Sequence, residues 1–148
     1  MIPRLVLDAS VALTWFLNAT EEQTRYADAI AALIERDATI CVVPGLWHIE
    51  VGTLLLKRRS AKELSQVKLN DALAKLDRLT IETHHVAYGP REIVRLGERY
   101  HLAGYDAVYF DLASRLALPI AVFDAGIRTA CGHFGVELVT AESAKNQQ

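Results

Sequence analysis

The sequence predicts an α/β fold built on a mainly parallel sheet, and three observations carry that prediction. Three short apolar runs, Leu5-Val6-Leu7, Ile40-Cys41-Val42-Val43 and Ile120-Ala121-Val122-Phe123, are unbroken rather than alternating. Strands covered on both faces read that way. Longer segments with helical period separate them, so the chain alternates strand and helix as βαβ units do. Finally, 148 residues with 51% hydrophobic content suffice for one domain; a chain of roughly 150 residues buries about 70% of its unfolded surface without needing a disulfide or a structural metal.

Leu5 to Leu7 is the first strand. Glu22 to Arg36 follows as a helix with Tyr26, Ile30, Leu33 and Ile34 on one side. The β-branched run Ile40 to Val43 is the second strand, and a helix begins after it near Pro44-Gly45. Leu64, Val67, Ala72, Leu73, Leu76 and Leu79 mark another amphipathic helix, and Ser60 to Leu79 reads as an insertion or arm. Ile93, Leu96 and Tyr100 mark the next helix, and an apolar helix from about Tyr105 to Leu118 follows the turn signal Ala103-Gly104. Ile81 to Val86 and Glu137 to Val139 are weaker strand candidates. Residues from Ala141 to Gln148 are polar and are expected to fray.

Composition narrows the function. The 16 Lys and Arg residues against 18 Asp and Glu give a net charge of -2, so the whole protein is no polycation for coating nucleic acid. Any such role needs a local basic patch or a metal. Cys41 and Cys131 lie far apart in apolar surroundings and read as core residues in a reducing compartment. No apolar run approaches the roughly 20 residues of a membrane helix, so a cytoplasmic protein is expected. Neither GxxxxGK[ST] nor GxGxxG occurs. A haloacid-dehalogenase-like phosphatase needs a second Asp where Ser10 stands, and a receiver domain needs a late Lys, whereas no Lys lies between Lys75 and Lys145.

The placement of acids is the informative feature. In an open α/β sheet, ligands bind beyond the carboxyl ends of the strands. Asp8 ends the first apolar run and Asp124 the last, while Glu50 lies one turn inside the helix after the second strand and Asp106 opens the apolar helix. Any single Asp here has an ordinary explanation as a helix N-cap. Capping does not explain Glu50, set in Leu46-Trp47-His48-Ile49-Glu50-Val51-Gly52-Thr53-Leu54, a stretch apolar on most sides. A buried, unpaired carboxylate is costly, and metal coordination is one of few ways to keep it ionised. Acids without His or Cys at ligand spacing favour hard cations such as Mg²⁺ or Mn²⁺, which suit hydrolysis of a phosphodiester.

Four segments, in order, resemble the PIN-domain nucleases and within them the VapC-type toxins of toxin-antitoxin pairs. They are Val6-Leu7-Asp8-Ala9-Ser10-Val11-Ala12-Leu13; Val43-Pro44 with Leu46-Trp47-His48-Ile49-Glu50-Val51; Tyr105-Asp106-Ala107-Val108-Tyr109 with Leu112-Ala113; and Leu118-Pro119-Ile120-Ala121-Val122-Phe123-Asp124 with Gly135-Val136. The resemblance implies a three-layer α/β/α sandwich with a central mainly parallel sheet, one nuclease domain over residues 1–140 and a frayed tail over 141–148. It implies a Mg²⁺- or Mn²⁺-dependent endoribonuclease cutting tRNA or rRNA, with a VapB-type antitoxin as partner. Asp8, Glu50, Asp106 and Asp124 match the family's acidic quartet: Asp8 and Asp106 as direct metal ligands, Glu50 and Asp124 acting through water or a second ion. Ser10 matches the hydroxyl residue that supports the first acid, although it also reads as the N-cap of the following helix.

Two positions depart from the pattern. Thr53 stands where such toxins often carry Asn, and Val122 where Thr often precedes the fourth acid. They are the features that favour the alternative of a PIN-like module binding metal or RNA without cutting; a housekeeping PIN nuclease is the other alternative. Lys57-Arg58-Arg59 with Lys62 reads first as a solvated helix end and second as a phosphate contact. Arg128 reads equally as a salt-bridge partner of Asp124 or a substrate contact. Asp111, five residues after Asp106, is expected to face elsewhere, His48 to lie on a surface or interface, and Trp15 and Phe16 to serve a core or a partner groove. The apolar excess motivates a homodimer.

Overall fold

Leu5, Val6 and Leu7 are each fully buried although successive side chains of a strand point to opposite faces. Both faces of the sheet are therefore covered, and the fold is a three-layer α/β/α sandwich. The computed structural model describes residues 1–146. Its elements are β1 (Arg4–Leu7), α1 (Ala9–Thr14), α2 (Glu21–Asp37), β2 (Ile40–Pro44), α3 (Gly45–Ser60), α4 (Gln66–Asp77), β3 (Ile81–His84), α5 (Pro90–Tyr100), α6 (Gly104–Leu116), β4 (Ile120–Ala121), α7 (Ala125–Phe134) and α8 (Ala141–Asn146).

The four strands are all parallel, in the order β3-β2-β1-β4. Val6 is the centre of the register, opposite Val42 on one side and Ile120 on the other. The chain adds β2 and β3 outward on one flank of β1, then returns to place β4 on the other. This reversal is the topological switch point at which α/β sheets open a crevice. Asp8 leaves β1 beside it, and the Asp8 amide still donates to Ala121 O at 3.1 Å, so the ladder holds to the edge.

Helix boundaries follow local chemistry. Thr20 and Gln23 form a reciprocal capping box on α2, whose Tyr26, Ile30, Leu33 and Ile34 are buried as their spacing predicts. Pro90 follows Gly89 at the start of α5, and Gly135, with φ 72°, ends α7 in the left-handed region. On α3, Trp47, Val51 and Leu55 form the buried stripe, leaving Ile49 and Leu56 exposed on the opposite side. On α4 only Ala72 is buried among residues of the helix, with Leu69 and Leu76 packed against the core. Cys41 and Cys131 are free and buried, and burial pushes the Cys41 thiol up to about 12. Among the described residues, no helix is long and apolar enough to cross a membrane.

Four expectations need correction. The run Ile120 to Phe123 pairs only at Ile120 and Ala121, and β3 stops at His84, short of Val86. Glu137 to Val139 forms an isolated bridge of Leu138 with Ile120 instead of a strand. The tail expected to fray from Ala141 forms α8, which packs on α2. Thr140 and Ser143 exchange hydrogen bonds across its first turn, Ala144 is buried, and Arg36 Nη1 donates to Ala144 O at 3.0 Å. Gln147 and Gln148, the remainder of that tail, lie outside the described residues.

Candidate active site

Asp8 sits at the N-cap position of α1, yet its carboxylate makes no capping hydrogen bond. The Ser10 hydroxyl donates to Asp8 Oδ2 instead. Ser10 thus lies within α1 and supports the acid, and the reading of Ser10 as N-cap is set aside. Asp8 is only 9% exposed. Burial raises its pKa, the Ser10 hydrogen bond opposes that rise, and the charge of Asp106 adds to it.

Glu50 occupies the second turn of α3, half-buried, and accepts a hydrogen bond from the Tyr109 hydroxyl at 3.0 Å on Oε1. Its pKa is raised by burial, lowered by that bond, and raised again by Asp8 and Asp106. Asp106, in the first turn of α6, is raised by burial and by Asp124. Asp124 is the one acid of the four that caps: Oδ2 accepts from the Ile127 amide at 2.8 Å, leaving the carboxylate exposed at the head of α7. A side chain on Gly126 would place its Cβ 3.0 Å from that oxygen, so glycine there gives Asp124 its room.

The four acids come from β1, α3, α6 and the β4 exit, and each of the first three is held up in pKa by at least one of the others. No lysine or arginine enters as an electrostatic partner of these three. Carboxylate oxygens alone suit a hard divalent cation, which commonly takes one or two carboxylates and keeps several waters. Among the described residues, no three His, Cys, Asp or Glu side chains are grouped so as to hold a metal ion as they stand. None of the four acids lines either of two cavities, one of about 310 Å³ between the β3 exit and α6 and one of about 650 Å³ flanked by Trp15, Ile34 and Leu79.

The sequence matches the family described as PIN domain over residues 5–132, a span that contains all four acids. The chain belongs to the PIN-domain family. PIN domains are generally nucleases, and the fold is of that type. The structure is similar to the crystal structure of PAE2754 from Pyrobaculum aerophilum, with a TM-score of 0.56 and 17% identity over 87% of this chain and 79% of that one. At that identity the likeness is one of fold. No curated protein matches the chain.

Two groups of this PIN domain carry more than their sequence positions announce. Tyr109 is 1% exposed and reads as one more apolar residue of α6, but its hydroxyl holds Glu50, and burial together with Glu50 and Asp8 keeps it protonated. Tyr26 reads as a core residue of α2, yet its hydroxyl accepts from the Val122 amide at 3.1 Å and donates to Val139 O at 2.7 Å. Sequence separations of 59, 96 and 113 residues hid these bonds. Arg128 is not paired with Asp124 among the described residues: its Nε and Nη2 donate to Val122 O at 3.0 and 2.8 Å. Asp111 turns away from the site, accepting from Tyr88 and Arg115, and exposed His48 bonds Thr83 Oγ1 through Nε2 at 2.9 Å. Arg58, in the basic cluster, pairs with Glu63 at 2.5 Å.

Proposed function

We propose that this PIN domain is a Mg²⁺- or Mn²⁺-dependent endoribonuclease, the toxin component of a VapBC-type toxin-antitoxin pair, acting on tRNA or rRNA. The observation that carries the reading is the placement of acids from separate elements close enough that Asp106 bears on Asp8, Asp8 and Asp106 on Glu50, and Asp124 on Asp106, with no lysine or arginine among the described residues paired to Asp8, Glu50 or Asp106. In this reading Asp8 and Asp106 hold the ion directly, and Glu50 and Asp124 reach it through water or a second ion. When bound, the ion supplies an activated water and offsets charge on the scissile phosphate. The Ser10 hydrogen bond favours the charged form of Asp8 against burial. Tyr109 fixes Glu50 Oε1, leaving Oε2 to orient the attacking water.

Apolar exposure supports a partner surface as well. Ile49 and Leu56 on α3 are 70% and 63% exposed, and Val67 on α4 is 78% exposed, a pattern suited to a homodimer or to a VapB-type antitoxin. A cytoplasmic location belongs to the same reading.

The test is cleavage of total RNA, then of purified tRNA and rRNA, with Mg²⁺ or Mn²⁺, beside Asp8→Asn. Metal-dependent cuts by wild type and a loss of at least about 100-fold in Asp8→Asn are expected. Absence of metal-dependent cleavage by wild type across these RNAs overturns the nuclease reading and leaves the binding module. Only monomer in a size-exclusion mass measurement removes the homodimer.

A further inference from the structure

The backbone that delivers Asp124 is held from both sides by residues outside the acidic quartet. β4 ends at Ala121, so the peptide Val122-Phe123 runs on to Asp124 without a sheet partner for its own register. A buried, unpaired amide or carbonyl costs about 1–3 kcal/mol, and Val122 is fully buried. Both groups are nevertheless satisfied. The Val122 amide donates to the Tyr26 hydroxyl, and Val122 O accepts two bonds from the Arg128 guanidinium. Arg128 also lies over the Tyr26 ring, its guanidinium carbon 4.9 Å from the centroid, and Phe123 packs on the same ring at 5.5 Å. The Tyr26 hydroxyl donates its own hydrogen bond to Val139 O, which ties this peptide to the segment leading into α8.

Val122 is the position where a threonine hydroxyl would have offered a side-chain hydrogen bond before the fourth acid. Here the fixing bonds come from Tyr26 and Arg128 acting on the main chain. Charge makes the Arg128 bonds the stronger of the set, and two donors on one carbonyl define an orientation as well as a distance.

We propose that Arg128 and Tyr26 are positioning residues that set where the Asp124 carboxylate stands at the acidic edge. The proposal rests on the reading of Asp124 as part of that site. Neither residue touches substrate or ion; both act through the Val122 peptide.

The experiment compares Arg128→Met, Arg128→Lys, Tyr26→Phe, Asp124→Asn and the double variant Arg128→Met with Asp124→Asn. Calorimetric Mn²⁺ titration and the kinetics of RNA cleavage are read well below each variant's melting temperature. Arg128→Met is expected to weaken Mn²⁺ binding about tenfold, in the range seen when groups orienting metal ligands are removed. It should lower kcat by about 10- to 100-fold with KM for RNA little changed, Tyr26→Phe should do the same to a smaller degree, and Arg128→Lys should recover part of the loss. In the double variant, losing the guanidinium should add nothing to Asp124→Asn.

Other results separate the failures. If Asp124→Asn is impaired while Arg128→Met and Tyr26→Phe bind Mn²⁺ and turn over as wild type, positioning is overturned and the site stands. A raised KM with unchanged kcat and Mn²⁺ affinity, or additive losses in the double variant, overturns positioning in favour of a direct RNA contact by Arg128. If Asp124→Asn matches wild type in both readouts, the role of Asp124 falls, and the proposal with it. Because the Mn²⁺ titration needs no substrate, it decides the question even for a protein that cuts no RNA.

Discussion

Two buried aspartates of this chain are provided for in opposite ways. Asp111 is 7% exposed and Asp8 9%. Asp111 lies on α6 with Arg115 Nε at 2.8 Å and the Tyr88 hydroxyl at 2.9 Å on the same oxygen, and it pushes the Arg115 pKa up in return. Its countercharge is built in. Asp8 receives the Ser10 hydroxyl, and the charge that reaches it is that of another acid, Asp106. Burial alone therefore does not separate the two carboxylates; the source of the compensating charge does. Asp106 and Asp111 show the same division on a single helix five residues apart.

Exchanging each acid for its amide should give the largest effects, in opposite directions. Asp8→Asn is expected to lose RNA cleavage by at least about 100-fold while keeping or slightly raising the metal-free melting temperature, since a like-charge contact is relieved. Asp111→Asn should keep cleavage within about twofold and lose stability, by about 1–2 kcal/mol once the exposure of Arg115 is allowed for. Parallel thermal melts and cleavage assays check the pair. Stability loss in Asp8→Asn with activity retained would erase the distinction between the two sites.

That division was legible in the sequence only in part. Asp8, Glu50, Asp106 and Asp124 stood out because unbroken apolar runs mark parallel strands, and the carboxyl ends of such strands are where sites form. Asp111 was set aside by helix geometry alone, since five residues turn a side chain away. Its partner Tyr88 lies 23 residues off and was invisible. The run Ile120 to Phe123 reads as one strand because Val122 and Phe123 are as apolar and β-prone as Ile120 and Ala121, while the hydrogen bonds of Val122 go to Tyr26 and Arg128. The tail deceived in the opposite way: Ala-Glu-Ser-Ala-Lys-Asn carries little hydrophobic signal, and one alanine and a Thr140-Ser143 cap proved sufficient to dock it on α2.

A second expected difference between self-compensated and uncompensated acids is their pH dependence. Asp8, Asp106 and Glu50 have folded pKa values raised above 3.8, 3.8 and 4.5. Between those values and the raised ones the metal-free folded state binds more protons than the unfolded chain, so stability is present below the unfolded values and is lost as pH rises through the folded ones. Asp37, lowered by hydrogen bonding to Arg36, and Glu82, lowered by His84 and Arg4, have the opposite sign, and their contribution is lost as pH falls. Melting temperature measured against pH in EDTA should thus decline through the weakly acidic range, less steeply in Asp8→Asn. Mn²⁺ at about 100 times its dissociation constant should add about 2.7 kcal/mol to wild type near neutral pH, and much less to Asp8→Asn. A metal-free profile that is identical in the two proteins contradicts the shared-charge account.

The smallest expected effect belongs to Ser10, and it refines the comparison by asking how Asp8 remains usable without a cationic neighbour. The Ser10 hydroxyl stabilises the charged form of Asp8 against burial and Asp106. Ser10 is exposed, so Ser10→Ala removes this bond with little packing cost, whereas an equivalent cut at Tyr109 would leave a buried gap. Asp8 should then hold its proton to higher pH, moving the acid limb of the kcat/KM profile upward. Below the limb, activity should fall about three- to tenfold, the worth of one ordinary net hydrogen bond, since Ser10 is exposed to water; well above it, where Asp8 ionises regardless, activity should approach wild type. Ser10→Thr should keep the original limb. A uniform loss at every pH in Ser10→Ala would assign the hydroxyl to geometry rather than charge, and an unmoved limb with full activity would leave the fold's own dipoles as the only support for Asp8.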